Sequence, residues 1–304
     1  MVKIIILTGF LGSGKTTMMQ SLIASYSDEK IGLIINEFGE INIDAKLVTS
    51  DGIDMAELTN GSIFCACIKD KFVESLIEMS KKDIDYLFIE SSGLADPSNM
   101  DEIVRGIEKE TSGNLKLEGS VCIVDALNFI ELMDVMVSIT RQIEHANAII
   151  VNKMDLIEDE KLREIEEEIK KVNPYAYIYP ATYCSLDIKN VVSKFIENHA
   201  VSNQTTNTYE TRPYTFIIRA EEILDYDKLN EFINNLSKDT YRIKGFAKTD
   251  KGPVEVNSVL ENVVIESWKD NVETEIVAIS KVGVKLMSEI IKQSNEVLDG
   301  KVRV

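Results

Sequence analysis

The octet Gly9-Phe10-Leu11-Gly12-Ser13-Gly14-Lys15-Thr16 matches the spacing G-x-x-x-x-G-K-[ST] in full. Glycines let a backbone curl until successive N–H groups point inward, and a following helix N-terminus adds partial positive charge. That is chemistry for a chain of phosphates. Lys15 is placed to reach the outer phosphates, and the Thr16 hydroxyl is an oxygen ligand for Mg²⁺. Gly12, Ser13, Gly14, Lys15, Thr16 and Thr17 are thus the candidate phosphate-binding residues, with Lys15 the catalytic cation.

Two further strings belong to the same chemistry. Leu87-Phe88-Ile89-Glu90-Ser91-Ser92-Gly93 is an apolar run ending in a carboxylate. Glu90 stands where a nucleotide hydrolase keeps the acid that holds Mg²⁺, and Gly93 is placed to offer a backbone N–H to a γ-phosphate and report its loss. Asn152-Lys153-Met154-Asp155 follows the apolar run Ala148 to Val151. A carboxylate at Asp155 accepts two N–H bonds from the edge of guanine, a pairing adenine does not offer. GTP is therefore the expected nucleotide over ATP. Guanine selectivity also argues against a third use of such a loop, a small-molecule kinase.

These strings need a scaffold, and the pattern around them supplies one. Val2 to Leu7, Ile31 to Ile35, Tyr86 to Ile89, Val121 to Val124, Ile149 to Val151 and Tyr177 to Tyr179 are short, β-branched and nearly continuous in apolarity. Helix-length segments separate them, which predicts an α/β domain over residues 1–200, a mostly parallel sheet flanked by helices. Residues 201–211, rich in Ser, Asn and Thr, read as a linker. From 212 to 304 the order strand, helix, four strands, helix predicts a smaller C-terminal α+β domain.

Composition narrows the class. The 304 residues carry 33 basic and 51 acidic side chains, a net charge of −18 that disfavours nucleic acid as partner. Four cysteines are too few for a disulfide framework, and no apolar run reaches bilayer length, so a reducing cytoplasm and no membrane contact are expected. His145 and His199 have no ligand-spaced partner and read as surface or capping residues; Cys122, inside an apolar run, reads as core.

In order along the chain, these motifs resemble the CobW-like P-loop GTPases, relatives of the nickel-handling GTPases of urease and hydrogenase maturation. The resemblance rests on Gly9 to Thr17, on Asn36-Glu37-Phe38-Gly39-Glu40-Ile41-Asn42-Ile43-Asp44 and on Glu57-Leu58-Thr59-Asn60-Gly61. It continues through Glu90 to Pro97, Val124-Asp125-Ala126, Gln142, Asn152 to Asp155 and Arg242-Ile243-Lys244-Gly245-Phe246. It implies a P-loop GTPase domain followed by a CobW-like C-terminal domain. It also implies a slow, Mg²⁺-dependent GTPase that gates delivery of a transition metal, zinc or cobalt in class, or of a metal-containing cofactor to a client protein. Asp44 is then the candidate for positioning the attacking water. The family's metal motif C-x-C-C is reduced here to two thiols, Cys65 and Cys67, which with Glu37 or Glu40 make a smaller candidate ligand set. The reduced motif keeps a rival in view: a GTP-gated regulator of a partner enzyme, for example a corrinoid enzyme, that carries no metal. A homodimer is left open. Arg242 and Lys244 are either a solvated strand face or a client-docking patch.

Overall fold

The computed structural model describes residues 1–36, 54–58, 69–195 and 213–304. By its contacts the chain divides into two compact units, Met1–Thr211 and Arg212–Val304. The first is built on strands β1 (Val2–Thr8), β2 (Ile31–Asn36), β3 (Asp54–Leu58), β4 (Tyr86–Glu90), β5 (Leu115–Asp125), β6 (Ala148–Asn152) and β7 (Tyr177–Pro180). They lie in the order β3-β2-β4-β1-β5-β6-β7, and every pairing between them is parallel. Seven helices of this unit are α1 (Lys15–Ser25), α2 (Lys69–Met79), α3 (Met100–Gly106), α4 (Phe129–Val135), α5 (Val137–Glu144), α6 (Asp159–Val172) and α7 (Ile188–Ser193).

Both faces of the sheet are apolar, as the unbroken β-branched runs require of a parallel sheet covered on both sides. Ile5, Leu7 and Phe88 pack with Met18, Leu22 and Val191 on one face. Ile4, Ile6 and Ile89 pack with Phe72, Leu76 and Ile103 on the other. β1 sits between β4 and β5, where the strand order reverses. Open α/β sheets bind ligands at the carboxyl ends of strands beside such a reversal. The strand ends that matter are therefore Thr8, Glu90, Asp125, Asn152 and Pro180.

One strand has no apolar run to announce it, and another exceeds its run. β3 carries Asp54 and Glu57 and sits at the sheet edge, paired with β2. β5 begins at Leu115, six residues before its apolar stretch, because β6 joins it only from Val121 onward and the earlier half needs one apolar face only.

The second unit has strands β8 (Thr215–Ala220), β9 (Thr240–Thr249), β10 (Gly252–Val259), β11 (Asn262–Ser267) and β12 (Thr274–Ser280), with helices α8 (Tyr226–Ser237) and α9 (Lys285–Val297). The sheet is antiparallel in the order β11-β10-β9-β12-β8. Leu229, Phe232, Ile233, Leu286 and Ile290 of the helices bury Ile218, Ile243, Ala247, Val256 and Ile276 of the sheet. Arg242 and Lys244 alternate with that core-facing set along β9 and are 7% and 6% exposed, so neither is a solvated strand residue. No helix among the described residues is long and apolar enough to cross a membrane.

Candidate functional site

The glycine loop leaves β1 and closes on itself before entering α1. Ser13 N–H donates to the Phe10 carbonyl at 3.2 Å, and Lys15 Nζ donates to the same oxygen at 3.2 Å. Gly14 has φ +113°, a backbone conformation in which an L side chain is strained. A Cβ there would also stand 2.5 Å from Asn152 Nδ2, so the loop and the end of β6 touch at this glycine. Glu90, at the end of β4 and 2% exposed, faces the start of α1. Thr16 Oγ1 and Glu90 Oε1 are 3.5 Å apart. A hydroxyl and a carboxylate are thereby gathered beside the phosphate-shaped loop, both hard oxygen donors of the kind Mg²⁺ takes.

A second group forms at the ends of β5, β6 and β7. Asn152 spans two loops: its Nδ2 donates to the Ser13 carbonyl at 2.9 Å, and its Oδ1 accepts the Cys184 N–H at 2.9 Å. Cys184 Sγ donates weakly to the Gly14 carbonyl at 3.5 Å, so three loops meet at one buried point. Lys153 has φ +66°, and its Nζ binds Asp125 Oδ2 at 2.8 Å. Asp125 also accepts Leu127 N–H and Asn128 Nδ2, both closing the turn after β5. Its carboxylate therefore caps a turn and orients a lysine at once. Asp155, in the short helix Met154–Leu156, is exposed and makes no hydrogen bond among the described residues. Its carboxylate is open to an incoming donor pair.

The loop that follows Glu90 packs against the glycine loop and α5. Residues Ser91 to Ser98 are all buried. Gly93 lies against the glycine loop, with a virtual Cβ 2.6 Å from the Leu11 amide nitrogen. Gln142 of α5, fully buried, donates from Nε2 to the carbonyls of Gly93 at 3.2 Å and Ala95 at 2.8 Å. The motif order names Gln142 but not this contact. A sign of it is legible in the sequence: Gln142 shares a buried helical stripe with Ile139 and Ile143, where a polar side chain needs a partner.

Of the candidate residues, Gly12, Ser13, Gly14, Lys15, Thr16, Thr17, Glu90, Gly93, Asn152, Lys153 and Asp155 all stand at the carboxyl ends of β1, β4 and β6 or in the loops and first helical turns that follow them. Glu37, Glu40, Asp44, Cys65 and Cys67 lie outside the described residues, as do His199 and the linker 201–211. Among the described residues no three His, Cys, Asp or Glu side chains stand close enough to hold a metal. Cys122 is core, as its position in the run indicates, and burial pushes its thiol up to about 12. Burial does the same to Cys184, against the pull of the Lys153 ammonium. His145 follows the last turn of α5, and its carbonyl accepts the Ser120 hydroxyl at 2.6 Å.

Comparison with known proteins matches residues 3–180 to the CobW/HypB/UreG nucleotide-binding domain and residues 214–294 to the cobalamin synthesis protein cobW C-terminal domain. The zinc chaperone YjiA of Escherichia coli is 29% identical over 275 residues, 88% of this chain and 78% of that protein. The zinc-regulated GTPase metalloprotein activator 1 of Dictyostelium discoideum is 27% identical over 296 residues, 80% of this chain. The match spans 62% of that longer relative. Among solved structures, Zn(II)-bound YjiA GTPase from E. coli aligns over 97% of this chain and 98% of its own at 21% identity, with a TM-score of 0.49. The nucleotide-domain match alone covers more than half of the residues, and the chain belongs to the CobW/HypB/UreG nucleotide-binding family.

Proposed function

We propose that this protein hydrolyses GTP slowly, with Mg²⁺, and that the nucleotide cycle gates delivery of a transition metal, zinc foremost, to a client protein. The observation that carries the GTPase part is the convergence of the glycine loop, Glu90 and the Asn152 to Asp155 element at neighbouring strand ends. The metal part draws on the relatives named as zinc chaperones and a zinc-regulated activator.

In this reading the glycine-loop amides and the Lys15 ammonium bind the phosphates and neutralise charge that grows during transfer. Thr16 and Glu90 would hold Mg²⁺, which supplies electrostatic neutralisation of the phosphate oxygens when bound. Asp155 reads the guanine N–H edge, Lys153 lies along the base, and Asp125 keeps that lysine aimed. Asp44 orients the attacking water, and Gly93 reports the γ-phosphate. Cys65, Cys67 and Glu37 are the proposed cargo ligands, coupled to the nucleotide by their position between β2 and α2.

A second reading follows from the loss of one family cysteine, which leaves two thiols where the motif has three. It is a GTP-gated regulator that carries no metal. A Co²⁺ titration of reduced protein, with GDP or a non-hydrolysable GTP analogue and Mg²⁺, separates the two. A nucleotide-dependent sulfur-to-cobalt charge-transfer band, lost in Cys65→Ala or Cys67→Ala, supports gated metal transfer. No thiolate band in either nucleotide state sinks the cargo assignment and leaves the regulator.

A further inference from the structure

The loop from Ser91 to Ser98 is held in a definite arrangement from two sides. On the inner side Ala95 N–H donates to the Ser92 carbonyl at 2.9 Å. In a trans peptide the C=O and the next N–H point in opposite directions. Fixing the Ser92 carbonyl therefore fixes where Gly93 N–H points, and that N–H is the group assigned to the γ-phosphate. On the outer side Gln142 Nε2 ties down the Gly93 and Ala95 carbonyls. Both partners are acceptors, so the side-chain amide must present its nitrogen to them, and the orientation of the group is not in question.

That orientation leaves Gln142 Oε1 fully buried with no hydrogen-bond partner among the described residues. A buried amide oxygen without a donor is costly, and native structures keep few of them. The loop itself carries a donor one peptide away, Leu94 N–H. Rotation of the peptide between Gly93 and Leu94 replaces the Gly93 carbonyl, which now faces Gln142, with Leu94 N–H. Glycine on the amino side of that peptide keeps the rotation cheap, since no Cβ resists it. A carboxamide offers a donor and an acceptor from the same rigid group, so one side chain serves both arrangements. Neither leucine nor lysine at this position has that property.

We infer that Gln142 is a two-way latch on the γ-phosphate-sensing loop. Its Nε2 holds the arrangement described here, and its Oε1 receives Leu94 N–H in the other nucleotide state. Gln142 touches no substrate in this scheme and acts as a positioning residue through the peptide that follows Gly93 in the sensing loop. The inference rests on the GTPase reading above, because it takes Gly93 as the group that senses the γ-phosphate.

The test uses the full-length chain, with Gln142→Met removing both functions and Gln142→Glu keeping an acceptor while removing the donor. GTP turnover and the affinities for GDP and a non-hydrolysable GTP analogue are measured for each. Gln142→Met is expected to lower kcat at least tenfold with KM changed less than threefold, and to bring the GDP-to-analogue affinity ratio toward one. Gln142→Glu is expected to shift that ratio toward the state in which Oε1 is the partner. Both variants within twofold of wild type in kcat and in the ratio overturn the latch. Should Gln142→Met not fold, hydrogen exchange of wild type decides: Leu94 N–H must differ at least tenfold in protection between the two nucleotide states, and equal protection overturns it. Wild type and Lys15→Ala run alongside. If wild type does not turn over GTP, the GTPase reading itself has failed; if it does and the Gln142 variants are silent, only the latch has.

Discussion

Asn152 is the residue whose removal tests the site's construction most directly, because it braces two loops. Asn152→Ala deletes both bonds that join the glycine loop to the loop after β7, each 2.9 Å long. The groups left behind are the Ser13 carbonyl and the Cys184 N–H, and both residues are fully buried. Leaving a buried polar group unpaired costs about 1–3 kcal/mol, so the pair sums to about 2–6 kcal/mol. Water entering the vacated space recovers part of this, and a loss of about 3 kcal/mol is expected. With a urea slope of about 3 kcal/mol per molar, the midpoint of the first unit falls by about 1 M. Far-UV circular dichroism follows both units, and fluorescence of the single tryptophan, Trp268, identifies the share of the second. Nucleotide binding should suffer as well. Tyr183 and Cys184 sit at φ +50° and +53°, and the bond to Asn152 helps hold that unfavourable pair of left-handed residues. Guanine nucleotide affinity is expected to drop at least tenfold. Asn152→Asp keeps the acceptor for Cys184 but sets a carboxylate oxygen against the Ser13 carbonyl, and should be no milder at neutral pH. A midpoint within 0.3 M of wild type for Asn152→Ala, or a wild-type-like Asn152→Asp, would refute the brace.

Three further outcomes can be checked. Asp125→Ala frees Lys153 and unpins the turn at Leu127 and Asn128; with about 1.5–3 kcal/mol per charged hydrogen bond, GDP affinity should fall at least tenfold, and unchanged affinity in a calorimetric titration would show the ion pair to be idle. Lys15→Ala should abolish phosphate release from GTP, while Asp155→Asn should weaken GTP far more than xanthosine triphosphate; equal weakening of both means Asp155 does not read the base. Cys122 and Cys184 keep neutral thiols up to about 12 in the folded chain against an ordinary value of 9.0. The unfolded chain loses those protons first, so stability is fully present below pH 9 and falls as pH rises from 9 toward 12. Cys122→Ala should flatten that decline in urea midpoints measured across the range, and an unaltered slope counts against burial as its cause.

The local strings were legible in the sequence because phosphate and guanine chemistry demands particular residue types a few positions apart. The octet around Lys15, the acid at the end of an apolar run and the Asn152 to Asp155 element each announce themselves without a fold. Parallel strands were equally plain where both faces are buried, since the middles of β1, β2, β4 and β6 are then apolar. Where a strand lies at an edge or pairs late, polar residues are tolerated and the signal fades, as in β3 and the first half of β5.

What tertiary structure alone decided is how the strings are joined. Ser13 and Asn152 are 139 residues apart, and Gly14 and Cys184 are 170 apart. No spacing rule connects positions so distant; the parallel sheet does, by ending its strands on one edge. Asp125 carries the look of a turn residue in sequence, yet it meets Lys153 because β5 and β6 are neighbours in register, Asp125 beside Asn152. Gln142 reads as an odd polar residue on an apolar helix face until α5 packs beside the loop after β4. The sequence specifies which groups can do the chemistry, since reactivity is a property of side chains; which groups support them is settled by packing.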